Sequence, residues 1–140
     1  MDYTEIIKLE CEKAGVKEVE YIKGNYGRAY IKEGKIRIPQ PKTLTTLATA
    51  LHEIGHIVLG KVKPQYYSEF LAEMFVRQKF KEYGLTLKRN IANRQKAYVA
   101  YRVRLSVKRA TNPKYKVNPE VLKFIGAKQP SIIKRNGGLT

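Results

Sequence analysis

Hydrophobic residues before residue 42 follow two different spacings. In YTEIIKLECEKAG, residues 3–15, the apolar positions recur as they would on a helix, and Gly15 is expected to end it. The stretches RAYIK and KIRIP, separated by a Glu-Gly pair, instead predict a β-hairpin. Ile36 and Ile38 should face the interior from the second strand, which Pro39 should close.

From residue 43 onwards the pattern is helical. Helices are predicted over TLTTLATALHEIGHIVLG, which Gly60 ends, and over YYSEFLAEMFVRQKFKEYG, which Gly84 ends. A third helix is expected over residues 87–110. Its predicted buried stripe is Ile91, Tyr98, Tyr101 and Leu105. In NPEVLKFIG, Asn118 should cap a short final helix.

The order of helix, strands and helices predicts an α+β fold. At 140 residues the chain is expected to fold as one domain in three parts. These are a mixed core over residues 1–86, a basic helical extension packed on it over 87–127, and a weakly ordered tail over 128–140.

The formal net charge of +16 is concentrated in the second part of the chain. Residues 1–82 hold 14 Lys and Arg against 11 Asp and Glu, whereas residues 83–140 hold 14 against a single acid, Glu120. This asymmetry indicates a polyanionic partner, usually nucleic acid, although a basic surface that only favours solubility is the alternative. The candidate nucleic-acid-binding residues are Lys88, Arg89, Arg94, Lys96, Arg102, Arg104, Lys108 and Arg109.

Three features favour a cytoplasmic protein. The only cysteine, Cys11, can form no internal disulfide, which suits a reducing compartment. The first ten residues lack the basic start of a signal peptide, and no apolar run reaches the ~20 residues that a membrane span needs.

The chain's only two histidines, His52 and His56, lie four residues apart, with Glu53 directly after the first. On a helix they share a face and can bind one metal ion together. H-E-x-x-H is typical of hydrolytic zinc sites, where the metal lowers the pKa of a bound water and the glutamate accepts its proton. The alternative is two surface histidines on an ordinary helix.

A catalytic zinc ion usually has three protein ligands, and the third is expected to be a carboxylate here because no other histidine exists. The next helix carries Glu69 and Glu73 one turn apart, and its short connection should bring it antiparallel against the histidine helix. We predict Glu69 as the ligand and Glu73 as the hydrogen-bond partner of a histidine's second nitrogen. The alternative is a solvated face of a surface helix.

Two further features have more than one interpretation. Gly55 inside the histidine helix costs about 1 kcal/mol relative to alanine. It indicates that the next helix or a substrate must come close to the backbone there, and the alternative is close helix packing without a function. A hydrolytic site also needs a donor for the oxyanion, and the candidates are Tyr66, Tyr67, Tyr98 and several arginines.

These residues resemble the ImmA/IrrE family of zinc metallopeptidases. TALHEIGHIVLG is similar to the family's HELGH helix, and the following helix is similar to its E-x-E-A-N-x-F-A pattern. The residues that match this second pattern are Glu69, Ala72 and Phe75, with Glu73 at the asparagine position. A ligand glutamate followed four residues later by an acidic partner is also similar to gluzincins.

The resemblance implies a zincin-like core over residues 1–86, with Zn²⁺ at His52, His56 and Glu69 and with Glu53 as the general base. It also implies that an edge strand binds extended peptide by β-addition, for which KIRIP is the candidate. The likeness covers about Arg28 to Gly84. Leu71 replaces the family's second glutamate, Val76 replaces a small alanine and an LLxP ending is absent, which concerns substrate specificity more than metal binding.

The expected function is an intracellular zinc endopeptidase that acts on a DNA-associated protein, such as a repressor of a phage or mobile element. One alternative is a SprT-like protease of DNA-attached proteins, a family that typically uses a third histidine. Another is a non-catalytic nucleic-acid-binding protein with a zincin-like fold, against which Glu53 argues because a structural zinc needs no base beside it. The oligomeric state stays open.

Overall fold

The computed structural model describes residues 1–130 as five helices and one three-stranded sheet. The elements in chain order are α1 (Tyr3–Ala14), β1 (Glu18–Ile22), β2 (Arg28–Tyr30), β3 (Lys35–Pro39), α2 (Leu44–Leu59), α3 (Gln65–Glu82), α4 (Arg89–Arg109) and α5 (Pro119–Ile125). The predicted α+β class is confirmed. Of the tail predicted over 128–140, residues 131–140 lie outside the described residues. Among the described helices, none has both the length and the apolar character that crossing a membrane requires.

The helix ends follow from local chemistry that the sequence already displays. Thr43 caps α2 through a reciprocal capping box, in which the Thr46 backbone N–H donates to its side chain at 3.1 Å. Gly15 ends α1 in a left-handed conformation, with φ of 74°, which glycine adopts without strain. Asn118 caps α5 by accepting from the backbone of Glu120 at 2.8 Å.

The predicted hairpin of β2 and β3 is confirmed, but β3 is not an edge strand. The sheet order is β1-β3-β2, with β3 parallel to β1 and antiparallel to β2. The expectation that KIRIP binds peptide by β-addition is therefore wrong, because both of its edges are already paired. Pro39 is tolerated there because it is the last residue of the strand, at the final pair with Ile22. Within residues 1–130 the strands with a free edge are therefore β1 and β2, one on each side of β3.

Two hydrophobic clusters lie on opposite sides of α3. The first joins α1, β3 and α2 to Val76 and Phe80 of α3, with Ile36 and Ile38 fully buried as predicted. The second joins Tyr66 and Phe70 of α3 to α4 and α5. Because α3 is covered on both sides, its buried residues do not form a single stripe.

The predicted buried stripe of α4 is wrong except at its first residue. The buried residues are Ile91, Gln95, Val99 and Val103, which recur every four positions. Tyr98 and Tyr101 are instead 38% and 47% exposed, and Leu105 is half-buried. The sequence pattern did not reveal this buried face because Gln95, in the middle of it, is polar. Gln95 is buried because it forms hydrogen bonds with α3, and a local pattern does not show such bonds.

Candidate metal centre

The histidine helix α2 and the following helix α3 bring three side-chain atoms to one point. Nε2 of His52 and Nε2 of His56 lie 3.1 Å apart, as expected for residues one turn apart on a helix. Oε1 of Glu69, from α3, lies 2.9 Å from the first nitrogen and 3.0 Å from the second. All three side chains are buried.

Gly55 allows α3 to come this close to α2. A β-carbon at this position would lie 3.0 Å from Cδ1 of Phe75 and 3.2 Å from its Cβ and Cγ. The neighbour that comes close to Gly55 is therefore the next helix, α3. The close approach of the two backbones is what lets the Glu69 carboxylate reach the histidines.

The second nitrogens of both histidines also face oxygen atoms. Nδ1 of His52 lies 3.2 Å from Oε1 of Glu73, and Nδ1 of His56 lies 3.4 Å from the Ser68 hydroxyl. A proton held at Nδ1 leaves the lone pair on Nε2, toward the common point. Sequence reasoning missed Ser68, which precedes Glu69 and carries no signal of its own.

Glu73 is in turn held by α4. The Gln95 side-chain amide donates to the Glu73 carboxylate and to its backbone carbonyl, both at 3.2 Å. Nε of Arg77 donates to Oε1 of Gln95 at 2.8 Å, which fixes the orientation of the amide. Sequence reasoning missed Gln95, and its place within the apolar line of α4 was the only available signal.

The chemistry of this donor set fits a zinc ion. Three lone-pair atoms about 3 Å apart repel one another unless a proton or a cation lies among them. Two imidazole nitrogens and one carboxylate oxygen are a common zinc ligand set. Their mutual distances of 2.9–3.1 Å are a few tenths of an ångström shorter than the roughly 3.3–3.6 Å between tetrahedral ligands, so a small outward shift of the three side chains would admit the ion. His52, His56 and Glu69 can thus hold a metal ion.

The close packing of histidines and carboxylates in the cluster shifts the pKa values of its members. Burial alone would lower the pKa of His52, but the hydrogen bonds to Glu69 and Glu73 outweigh it and raise that pKa above its ordinary value, so metal binding at Nε2 would displace a proton. Burial alone would raise the pKa of Glu69, but the two histidines hold it well below its usual range. The carboxylate of Glu69 is therefore ionised, as a metal ligand must be.

Glu53 lies beside the cluster but takes no part in the convergence of ligand atoms. Burial raises the pKa of its carboxyl group above the ordinary value, although the two histidines oppose that effect. Gly27, just before β2, is packed on it: a β-carbon there would lie 2.8 Å from Cγ of Glu53 and 3.0 Å from the Arg37 carbonyl oxygen. Sequence reasoning missed this role of Gly27 because the contact joins residues 26 positions apart.

Among the tyrosines considered as oxyanion donors, the structure brings Tyr98 to the cluster. Its ring lies 6.1 Å from that of His52 and borders the open space beside it. The hydroxyl of Tyr66 is engaged with the Asn118 backbone N–H at 2.8 Å, and Tyr67 stacks on Phe70. Burial and then Glu69 raise the pKa of Tyr98, so its phenol keeps its proton at neutral pH.

Two clefts meet at the cluster. One, of about 440 Å³, is bordered by α4 and by the residues before β2. The other, of about 550 Å³, is bordered by β2 and by the connection between α2 and α3. The two clefts share Gly27, His52, Glu53 and Tyr98, so they adjoin at one candidate ligand and at the candidate base, and together they form an open path past the buried cluster.

The eight basic residues predicted to bind nucleic acid lie on α4 or at its cap, but not on one face. Seven are exposed and Arg102 is half-buried. None of them forms an ion pair within residues 1–130. Arg94 is turned toward α2, where it donates to the Thr49 hydroxyl at 3.2 Å and borders the smaller cleft.

Comparisons with protein-family models, with curated proteins and with solved structures found no match to this chain.

Proposed function

We propose that this protein is a zinc-dependent endopeptidase with a zincin-like core, similar to the ImmA/IrrE family. The observation that supports this most directly is the convergence of His52, His56 and Glu69 next to an open path, with the uncoordinated Glu53 beside them. A closed structural site would not need an acid of raised pKa next to its ligands.

Each residue of the site has a role in this proposal. Zinc held by His52, His56 and Glu69 would lower the pKa of a water molecule and polarise the scissile carbonyl group. Glu53 accepts the proton of the attacking water and passes it to the leaving amine. Glu73 holds His52 in the tautomer whose Nε2 lone pair faces the ligand point.

Tyr98 is the proposed donor to the carbonyl oxygen, on which negative charge develops during attack. Its hydroxyl has no hydrogen-bond partner within the described residues, and its raised pKa keeps the proton available. An O–H group aimed at developing charge stabilises the transition state more than the substrate. The free edge of β2, which borders the larger cleft, replaces KIRIP as the proposed site of β-addition.

The basic character of α4 supports a DNA-associated substrate, such as a DNA-bound repressor. The exposed Lys and Arg side chains there have no acidic partners among the described residues and are free to meet phosphate groups. The lack of a third histidine disfavours the SprT-like alternative. The exposed basic side chains keep a non-catalytic nucleic-acid-binding protein as the second candidate.

The proposal is tested by metal content and by cleavage, measured on the same proteins. We expect about one zinc per chain in the wild type by elemental mass spectrometry. Glu69→Ala should lose most of that zinc, whereas Glu53→Gln should keep it and lose cleavage by about 10²-fold or more. Glu12→Ala, on the exposed face of α1, is the matched control and should change neither.

Wild-type protein that binds no zinc even when zinc is offered would overturn the proposal and leave the basic helix α4 as the better guide to function. Zinc binding with equal cleavage by the wild type and Glu53→Gln would retain the metal site but refute the role of Glu53.

A further inference from the structure

We propose that the path across the site selects polypeptide segments with acidic residues on one side of the scissile bond and apolar or aromatic residues on the other. This inference rests on the proposed function and extends it to a class of substrate. It depends on the different chemistry of the two clefts that meet at Glu53.

The smaller cleft is apolar and aromatic. Tyr26, Tyr98 and Tyr101 border it, and these are three of the large hydrophobic side chains that remain exposed, at 84%, 38% and 47%. Its floor is formed by Ala48 and Ile91. Exposed aromatic side chains around a concave site are typical of places where a partner's apolar side chain is buried.

This cleft has less positive charge than the other one. Its one cation, Arg94, is exposed and donates to the Thr49 hydroxyl, while the Glu73 carboxylate faces His52 and Gln95. A substrate side chain in this cleft therefore meets mainly apolar surface, with a single cation at its border.

The larger cleft carries positive charge. Arg28, Lys61 and Lys63 border it, and all three are exposed. Within residues 1–130 none of them has an acidic partner, in contrast to Lys35 and Arg37 on the same sheet, which pair with β1 glutamates at 3.0–3.2 Å. The acids at this end of the path are Glu53 and Glu69, which belong to the catalytic cluster. The cations are thus available to a substrate carboxylate.

Strand β2 connects the two clefts. Residues 25–27, just before it, border the apolar cleft, whereas Arg28 and Ala29 border the basic one. An extended segment paired with the free edge of β2 would advance about 3.3 Å per residue and pass through both clefts within a few residues. Its acidic and apolar side chains must therefore flank the same short stretch of backbone.

The experiment uses blocked ten-residue peptides and the zinc-loaded full chain. One peptide carries two glutamates, then a Gly-Ala spacer, then Phe-Leu, and a second carries the same groups in reverse order. Each peptide has two matched controls. In the lysine twin the glutamates are replaced by lysines, and in the serine twin the Phe-Leu pair is replaced by serines. Binding is measured on Glu53→Gln and cleavage on the wild type, with cleavage sites read by mass spectrometry.

We expect one order of the glutamate peptide to bind about tenfold more tightly than its lysine twin at low salt, because each exposed ion pair contributes modestly. The preference should shrink as ionic strength rises. The serine twin should also bind about tenfold more weakly, with no such salt dependence.

Matched variants separate the clefts from the overall charge. Lys61→Glu with Lys63→Glu should reverse the preference to the lysine twin, whereas Lys42→Glu with Lys81→Glu makes the same charge change outside both clefts and should not. Tyr101→Ser should weaken binding of the Phe-Leu peptide, whereas Tyr21→Ser, an exposed tyrosine on β1, should leave it unchanged.

The outcomes distinguish this inference from the proposed function. Cleavage of both glutamate and lysine peptides with equal efficiency would overturn the inference and leave the endopeptidase proposal standing. Selective binding of the glutamate peptide without cleavage by the wild type would support the inference and overturn the proposed catalysis. Equal, weak binding of all peptides together with no cleavage would overturn both.

Discussion

Gly27 lies where a side chain would press on Glu53, and this contact makes it part of the site although it carries no functional group. A methyl group there would come within 2.8 Å of Cγ of Glu53 and 3.0 Å of the Arg37 backbone. The backbone of β3 cannot yield easily, so the glutamate would have to move. The absence of a side chain at residue 27 thus determines where the proposed base stands.

We expect Gly27→Ala to lower kcat/KM by about tenfold or more, since a proton acceptor displaced by an ångström loses much of its effect. Zinc content should stay unchanged because Glu53 is not among the converging ligands. Steady-state kinetics and elemental mass spectrometry on the same preparation check this. Lys23→Ala, an exposed residue outside both clefts, is the control, and unaltered kinetics for Gly27→Ala would contradict the argument.

At the scale of elements, α4 acts on the metal cluster through α3. The path runs from Arg77 to the Gln95 amide, from there to the Glu73 carboxylate, and from Glu73 to His52. Such outer contacts fix the orientation of a ligand and its tautomer. The basic helix is therefore a structural support of the site as well as a charged surface.

Gln95→Leu should weaken zinc affinity by about tenfold, within the range found when an outer hydrogen-bond partner of a metal ligand is removed. The substitution also leaves the Arg77 side chain without its acceptor. Competition with a zinc-binding dye measures the affinity. Gln78→Leu, an exposed glutamine on α3, is the matched control, and equal affinity in the two variants would refute this support.

A second link between elements joins α1 to the end of α3 through the buried Glu10. Its carboxylate accepts from the Tyr83 hydroxyl and from Lys79 at 3.0 Å. Burial alone would raise the pKa of Glu10, but these two partners lower it below the ordinary value. A lowered pKa in the folded state means that the carboxylate stabilises the fold above the unfolded pKa of about 4.3.

We therefore expect Glu10→Gln to reduce the free energy of unfolding at pH 7 by about 1–3 kcal/mol. The difference from the wild type should narrow as the pH falls through the lowered pKa, where the wild-type carboxylate takes up its proton. Urea unfolding followed from pH 7 downwards measures this. Glu12→Gln, its exposed neighbour, should cost little at any pH, and a constant difference for Glu10→Gln would exclude the linkage.

At the scale of the whole molecule, the basic extension cannot be treated as a separable arm. Val99 and Val103 of α4 and Val121 of α5 are buried against Tyr66 and Phe70 of α3. Deletion of residues 87–140 would expose this cluster and unfold the second core, so a truncated chain cannot report on DNA binding. Surface substitutions on α4 are the appropriate test.

Replacing Lys96, Arg104 and Lys108 by glutamine should weaken binding to a DNA duplex. The slope of log K against log salt concentration should also become less negative, by up to about 0.9 for each phosphate group that the variant no longer binds. Fluorescence anisotropy at several salt concentrations measures both. The same change at Lys8, Lys23 and Lys81, which are exposed outside α4, is the control. Equal slopes for the two triple variants would remove α4 from DNA recognition.

Much of the local structure could be predicted because its causes lie within a few residues. The caps at Thr43 and Asn118 and the glycine end of α1 depend on neighbours in the chain. The pairing of candidate ligands was equally local: His52 and His56 share a helix face, and Glu69 lies on the next helix after a short connection. Their roles as zinc ligands stay a prediction.

The sequence by itself determined the helices, the β-hairpin and the set of residues that could bind a metal ion, because periodicity, capping and short connections act locally. Only the tertiary structure decided the rest. It paired β1 with β3, buried Gln95 against Glu73, exposed Tyr98 at the cluster and packed Gly27 on Glu53. Each of these depends on contacts between segments far apart in the chain, whose energies come from packing that no local pattern records.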